Sequence, residues 1–218
     1  MSKITNEIEV KVLNIDKSKI IDQLAKLNVV KILDDVTSMV WYDVGSTRIK
    51  REQFWPEIRH IVKKIEAIVN QSQSLRQAQA YLRLRRQADN YDFTLKVKND
   101  NKSEIAKIDT EYFFECKSAQ AKKLNSLLVE SGFIIVGRHE KKRLSYVLPE
   151  EKLRFDIDEW PKIPPYLEIE GPSEDTVKFG IKLLGLEDLE TTVESGENFF
   201  KRYNQDFYSS LTFNHKEV

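Results

Sequence analysis

The segment NEIEVKV, residues 6 to 12, alternates without a break: Glu7, Glu9 and Lys11 fall on one side of a strand, Ile8, Val10 and Val12 on the other. A single strand of this kind commonly turns its charges to water and its aliphatics to a core. The same alternation recurs at MVWYDV, AYLRLRRQ, YDFTLKVK, IDTEYFFEC, HEKKRLSYVL, LRFDIDEW and PYLEIEG. That makes about eight mostly short strands, and their charged faces are sorted by sign. Arg83 and Arg85 share a face, as do Lys96 and Lys98 with Thr94, and Lys141 with Arg143. Asp109, Glu111 and Glu115 share one with Phe113, Asp156 and Asp158 one with Arg154, and Glu168 one with Glu170. A solvent face ordinarily mixes signs, because like charges at neighbouring positions repel. Sorted faces ask for a bound partner. The pattern therefore predicts an α+β fold, an eight-stranded antiparallel β-barrel whose aliphatic faces turn outward beneath flanking α-helices and whose charged faces line a tunnel.

Helical periodicity supplies the cover. DKSKIIDQLAKLN follows Asp16, and FWPEIRHIVKKIEAIVNQS places Phe54, Ile58, Ile61, Val62, Ile65, Ile68 and Val69 on one stripe with Pro56 suited to the first turn. SAQAKKLNSLLVESG and SEDTVKFGIKLLG are punctuated by Ser118 and Gly132, and by Ser173 and Gly185, as capping signals. ENFFKRYNQDFY predicts a closing helix before a polar tail, with no chemistry assigned to it. No low-complexity or Pro/Gly-rich linker divides the chain, so one domain over 1–218 is expected, with a helical insertion around 46–78 and a C-terminal helical extension around 186–218.

Composition closes several routes. Lys plus Arg and Asp plus Glu are 35 each, so no general attraction to a polyanion exists and duplex nucleic acid is not expected as a partner. No apolar run approaches a bilayer span, and MSKITNEIEVK has no signal-peptide apolar region, so a cytoplasmic protein without a membrane partner is expected. Cys116 is the only cysteine, and His60, His139 and His215 lack the spacing of a zinc site. GxGxxG and GxxxxGK[ST] are both absent, so any phosphate must be held by side chains.

The predicted tunnel lining has acids at Glu7, Glu9, Glu111, Asp156, Asp158, Glu168 and Glu170 and bases at Lys11, Arg83, Arg85, Lys96, Lys98, Lys141 and Arg143. Such a lining is costly to desolvate unless its charges are paired, hydrated or occupied by ligand. Oxygen-only acids suit hard divalent cations such as Mg2+ or Mn2+, and rows of Arg and Lys suit phosphate oxygens. A metal-bound polyphosphate is the natural guest. Lys98, Glu115, Asp156 and Glu170 could equally serve only as internal salt-bridge partners. Trp41, Tyr42, Trp160 and Tyr166 could stack on a ring, although packing is the commoner role of aromatics beside strand ends.

EIEVK resembles the ExExK signature of the CYTH family, the triphosphate tunnel metalloenzymes. YLRLR, TLKVK, TEYFFE, KKRLSY and DIDEWPKIPPYLEIEG are similar to that family's later strand motifs, in family order over residues 7 to 171. The resemblance implies the same barrel, a triphosphate-containing small molecule as partner, and a homodimer. It also implies Glu7, Glu9, Asp158, Glu168 and Glu170 as metal ligands and Lys11, Arg83, Arg85, Lys96, Lys98, Lys141 and Arg143 as phosphate ligands. Lys11 and Glu111 are the candidate catalytic residues, Glu111 to orient or deprotonate a water. The function it implies first is a divalent-metal-dependent triphosphatase acting on inorganic, thiamine or nucleoside triphosphate. The alternatives are a class IV adenylate cyclase making cyclic AMP and pyrophosphate, and a non-catalytic polyphosphate- or nucleotide-binding module. The chain departs from the family pattern in the insertion before YLRLRR and at Asp109, where many relatives carry a base.

Overall fold

The computed structural model describes residues 3–45, 49–98 and 105–213; His215 and the rest of the expected polar tail from 214 lie outside them. The elements in chain order are β1 (Lys3–Val12), α1 (Lys17–Leu24), β2 (Val30–Val44), α2 (Pro56–Ser72), β3 (Ala80–Gln87), β4 (Asn90–Lys98), β5 (Lys107–Cys116), α3 (Ser118–Glu130), β6 (Phe133–Leu148), β7 (Leu153–Trp160), β8 (Ile163–Gly171), α4 (Glu174–Leu183), β9 (Thr191–Thr192), α5 (Gly196–Arg202) and β10 (Ser210–Leu211). Strands pair in the order β6-β2-β3-β4-β5-β1-β8-β7, and β7 pairs back with β6. Among the described residues, then, eight antiparallel strands close on themselves, while β9 joins β1 and β10 runs parallel to β6 at the rim. Closure leaves the barrel strands no free edge.

The aliphatic faces point outward, and helices cover them. Ile58, Ile61, Val62 and Ile65 of α2 and Ala121, Leu124 and Leu128 of α3 pack with Leu82, Leu84, Phe93 and Leu95 from β3 and β4. On the other flank Ile20 and Leu24 of α1 and Val177 of α4 pack with Val10, Val12, Phe155, Ile157, Leu167 and Ile169. Each such Val, Leu, Ile or Phe side chain stabilises the fold by about 1.5–3 kcal/mol through burial. This outer layer carries the hydrophobic driving force, which leaves the inner face free for charge. Ser173 caps α4 as its sequence position suggests, its Oγ accepting from the Thr176 N–H at 3.2 Å, and Gly185 at φ +59° follows its end. At α3 the cap is Lys117, and Ser118 is the first helical residue. No helix among the described residues is long and apolar enough to cross a membrane.

Candidate active site

Period-2 alternation within a closed barrel forces every second residue into the lumen. β1 delivers Glu7, Glu9 and Lys11, and its register sets Glu7 opposite Asp109, Glu9 opposite Glu170 and Lys11 opposite Glu168. Like charges directly across a ladder destabilise it, so Glu7–Asp109, Glu9–Glu170 and the Asp156–Glu168 pair between β7 and β8 need cations between them. Lys96 supplies one, pairing tightly with Glu7 and lying 3.4 Å from both Asp109 and Glu111 and 3.8 Å from Glu9. Lys11 supplies another, 3.4 Å from Glu9 and 3.0 Å from Glu168.

Arg143 is the most committed cation. Its guanidinium reaches Asp156, Asp158 and Glu168 at 2.5 Å, and Asp158 also accepts from Lys141 Nζ at 2.6 Å. Arg85 binds Asp92 at 2.7 Å. Arg83 is held least: Glu111 lies 3.8 Å away, and the buried Arg83 Nε has no hydrogen-bond partner among the described residues.

These residues surround two cavities. A wide one of about 700 Å³ opens at the β3–β4 turn, where Ala88 and Asn90 are exposed, and runs inward past Arg83, Arg85, Asp92, Glu111 and Arg154. A narrow one of about 100 Å³ lies deeper and includes Lys11, Lys96 and Lys141. Glu7, Glu9, Arg83, Arg85, Arg143 and Glu168 line both, so they form the layer where the two meet.

Most of the residues expected from sequence thus come together. Two stand apart. Lys98 is exposed at the end of β4 and lines neither cavity. Asp158 is fully buried behind Lys141 and Arg143, also accepting from the Tyr166 hydroxyl at 3.3 Å, so it anchors the two bases and lines neither cavity. Sequence reasoning passed over Lys107, which is buried beside Asp109 and 3.4 Å from Glu9, and Asp92. Both continue faces already identified, one step beyond where the strand patterns IDTEYFFEC and TLKVK begin.

Electrostatics divide the acids. Burial raises Glu9 and Glu168, but Lys11 outweighs it, helped by Lys96 for Glu9 and Arg143 for Glu168, and holds both below the usual range. Burial also works against the charge on Lys11, yet Glu9 and Glu168 keep it raised, so this lysine is a fixed cation. Lys141 is pushed down to about 8 by burial and by Arg143. Glu170 goes the other way, up to about 8, through burial and the neighbouring Glu7.

At the deep end the lumen is aromatic. Trp41, Trp160, Tyr166 and His139 point inward and meet Phe199 and Phe200 of α5 and Phe207: Tyr166–Phe199 ring centres are 4.8 Å apart, Trp160–Phe200 5.1 Å and Trp41–Phe207 4.9 Å. Tyr42 is on the outer face, donating to Asn125 Oδ1 at 2.6 Å. The sequence reading gave the last segment no role, yet it forms one wall of the site.

A family model for the CYTH domain matches residues 68–200. The chain belongs to the CYTH domain family. The matched span begins within α2, so the ExExK strand precedes it, and the barrel closes through that strand all the same, since β1 pairs with both β5 and β8. Among solved structures, this CYTH protein is similar to the PH1012 protein of Pyrococcus horikoshii (19% identity, TM-score 0.56, 84% of this chain and 94% of that one). It is similar to a candidate adenylate cyclase of Bacillus halodurans (17%, 0.54, 90% and 98%). It is also similar to the Hippeastrum protein HpAC1, a candidate adenylyl cyclase described as having a dominant triphosphatase activity (16%, 0.52, 93% and 96%). No curated protein matches by sequence. These likenesses establish the fold.

CYTH proteins are generally metal-dependent and bind triphosphates. The donors here fit a hard cation, since the acids facing the lumen offer oxygen only, and burial together with neighbouring carboxylates raises Glu7 and Glu170. Among the described residues no three acidic side chains already converge as a ligating cluster.

The Glu170 shift has a measurable consequence. An acid raised in the fold favours folding fully below its unfolded value, here about 4.5, and loses that contribution as pH climbs to the folded value of about 8. Glu170→Gln removes this titration. In chelator, its melting temperature relative to wild type is expected to rise between pH 5 and 8 and to level off above. A difference independent of pH would contradict the upward shift that burial and Glu7 impose on Glu170.

Proposed function

We propose that this CYTH protein is a divalent-metal-dependent triphosphatase that hydrolyses a triphosphate within the barrel. One observation carries the reading: Arg83, with an unpartnered buried Nε, stands with Arg85 at the layer joining the two cavities, opposite the crowded acids Glu7 and Glu170. An anion bearing a cation would satisfy both sides at once. Glu7, Glu9, Glu168 and Glu170 would hold the Mg2+ or Mn2+, which when bound supplies charge neutralisation across the phosphate oxygens.

The chain's own residues do the rest. Arg83 and Arg85 present planar forks to phosphate oxygens, and Lys11, Lys96, Lys141 and Arg143 add point and forked charges around the narrow cavity. Asp158 is a positioning residue, fixing Lys141 and Arg143. Glu111, facing the wide cavity beside Lys96, is placed to orient a water that attacks the terminal phosphorus. The water oxygen bonds to the terminal phosphorus as its proton passes toward Glu111, the bond to the bridging oxygen breaks, and the departing diphosphate, free or esterified, takes the electron pair. Lys11, kept protonated, serves as a charge and not as a base.

A class IV adenylate cyclase is the second reading, favoured by the room for a nucleoside in the wide cavity of about 700 Å³. The description of the Hippeastrum protein favours hydrolysis. A non-catalytic anion binder would gain nothing from the acids. Product identity decides: with ATP, thiamine triphosphate and inorganic triphosphate in turn, Mg2+- or Mn2+-dependent orthophosphate is the expected product. Cyclic AMP with pyrophosphate would make the protein a cyclase, and binding without turnover would leave the binding module.

A further inference from the structure

Acids and bases balance over the lumen as a whole, but they are separated along its length. Among the described residues, Lys11, Lys96, Lys107 and Lys141 line the narrow cavity alone, and no acid does so. Asp92, Glu111, Glu115, Asp156 and Glu170 line the wide cavity alone, against one base, Arg154. The shared layer between them carries Glu7, Glu9 and Glu168 with Arg83, Arg85 and Arg143. Charge of one sign gathered at each end favours a guest of the opposite polarity, anionic at its inner end and cationic at its outer one.

Strand register sets the span of such a guest. Arg83, Thr94 and Phe113 fall in one row across β3, β4 and β5, and Arg85, Asp92 and Glu115 in the next. Neighbouring strands lie about 4.8 Å apart, so Phe113 and Glu115 stand roughly 10 Å across from the two arginines. Phe113 is half-buried on the inward face between Glu111 and Glu115, and Leu33 with the exposed Ile32 adds aliphatic surface to the same cavity.

Bound phosphate would sharpen the imbalance. Asp92 is held by Arg85 at 2.7 Å, Asp156 by Arg143 and Arg154, and Glu111 by Lys96, whereas Glu115 and Glu170 make no ion pair among the described residues. Phosphate oxygens that engage Arg85 and Arg143 draw on the same guanidinium groups that neutralise Asp92 and Asp156. A divalent ion on Glu7, Glu9, Glu168 and Glu170 still leaves Glu115 beside the Phe113 ring. An aromatic face with carboxylates and aliphatics around it is the chemistry that holds a cation with an apolar shell, a quaternary ammonium or a charged heteroaromatic ring.

We propose that Phe113 and Glu115 determine specificity, selecting a triphosphate monoester whose organic group is cationic. This rests on the triphosphatase reading and names the substrate class within it. The triphosphate points inward to the lysines, and the organic cation sits against Phe113 and the outer acids.

The test uses the full chain in saturating Mg2+ with three probes: inorganic triphosphate, choline triphosphate and its uncharged isostere 3,3-dimethylbutyl triphosphate, read as displacement binding and as turnover. The two esters share a shape and differ by one charge. Wild type is expected to bind the choline ester at least about tenfold more tightly than the isostere. Phe113→Ala/Glu115→Gln is expected to bring the two within about threefold of each other while inorganic triphosphate binding persists. Glu115→Gln alone changes an exposed side chain, should narrow the gap in the same direction, and serves if the double variant does not fold. Equal binding of the two esters by wild type, or a gap unmoved in the folded variants, would overturn the cation preference alone. A preference seen in chelator but abolished by Mg2+ would overturn it too, giving the outer acids to a metal ion. Failure of wild type to bind inorganic triphosphate would overturn the underlying reading, and this proposal with it.

Discussion

Replacing Glu7 and Glu9 together by glutamine is expected to lower metal-dependent phosphate release by about a hundredfold or more, the scale on which one well-placed electrostatic contribution to a phosphoryl transition state is lost. The two residues sit on one strand face at the layer shared by both cavities. Glutamine keeps the shape and removes the charge. The fold should survive, because Lys96 retains Asp109 and Glu111 as partners and Lys11 retains Glu168. Metal-free binding of inorganic triphosphate should hold or tighten, since two anions near the phosphates have gone. That combination, turnover lost and binding kept, separates the proposed role from simple misfolding, in which both fall together. Turnover within tenfold of wild type would remove Glu7 and Glu9 from the metal site.

The second large effect is on stability. Arg143→Ala removes the one cation shared by Asp156, Asp158 and Glu168, leaving these buried acids with Arg154, Lys141 and Lys11 alone. Removing one partner of a buried ion pair typically costs about 3–5 kcal/mol, which for a chain of this size lowers the melting temperature by roughly 10 °C. Adding Asp158→Asn should recover part of the loss, because it takes one acid from a group that has lost a cation; residues in one network do not combine additively. A loss below about 1 kcal/mol, or no recovery in the double variant, would mean that the network is hydrated and loosely held.

The barrel and most of its lining were legible because two simple periods coincide in the chain. Alternation sorted Glu7, Glu9, Arg83, Arg85 and Glu168 onto one set of faces, and sign-sorting argued that those faces look inward, which the strand registers bear out. The amphipathic stripe of Ile58, Ile61 and Ile65 fixed the opposite side as helix-covered, as it is. What alternation could not rank was commitment. Asp158 and Glu168 look equivalent in sequence, but Asp158 is spent on Lys141 and Arg143 whereas Glu168 lines both cavities, and that distinction arises from packing across β6 and β7. The aromatic wall was illegible for another reason. Phe199 and Phe200 are adjacent, carry no strand period, and meet Trp41, Trp160 and Tyr166 only through contacts remote in sequence. A density of aromatics in ENFFKRYNQDFY beyond what a short surface helix needs was the available signal.

Calorimetry with inorganic triphosphate in chelator tests most directly whether the inward charged faces form a triphosphate site. One-to-one binding is expected, weakened by at least about tenfold in Arg83→Ala/Arg85→Ala, the loss of ~1.4 kcal/mol or more that charge-assisted bonds to phosphate would leave. No binding by wild type, or an affinity unchanged by removing those two guanidinium groups, would contradict such a site.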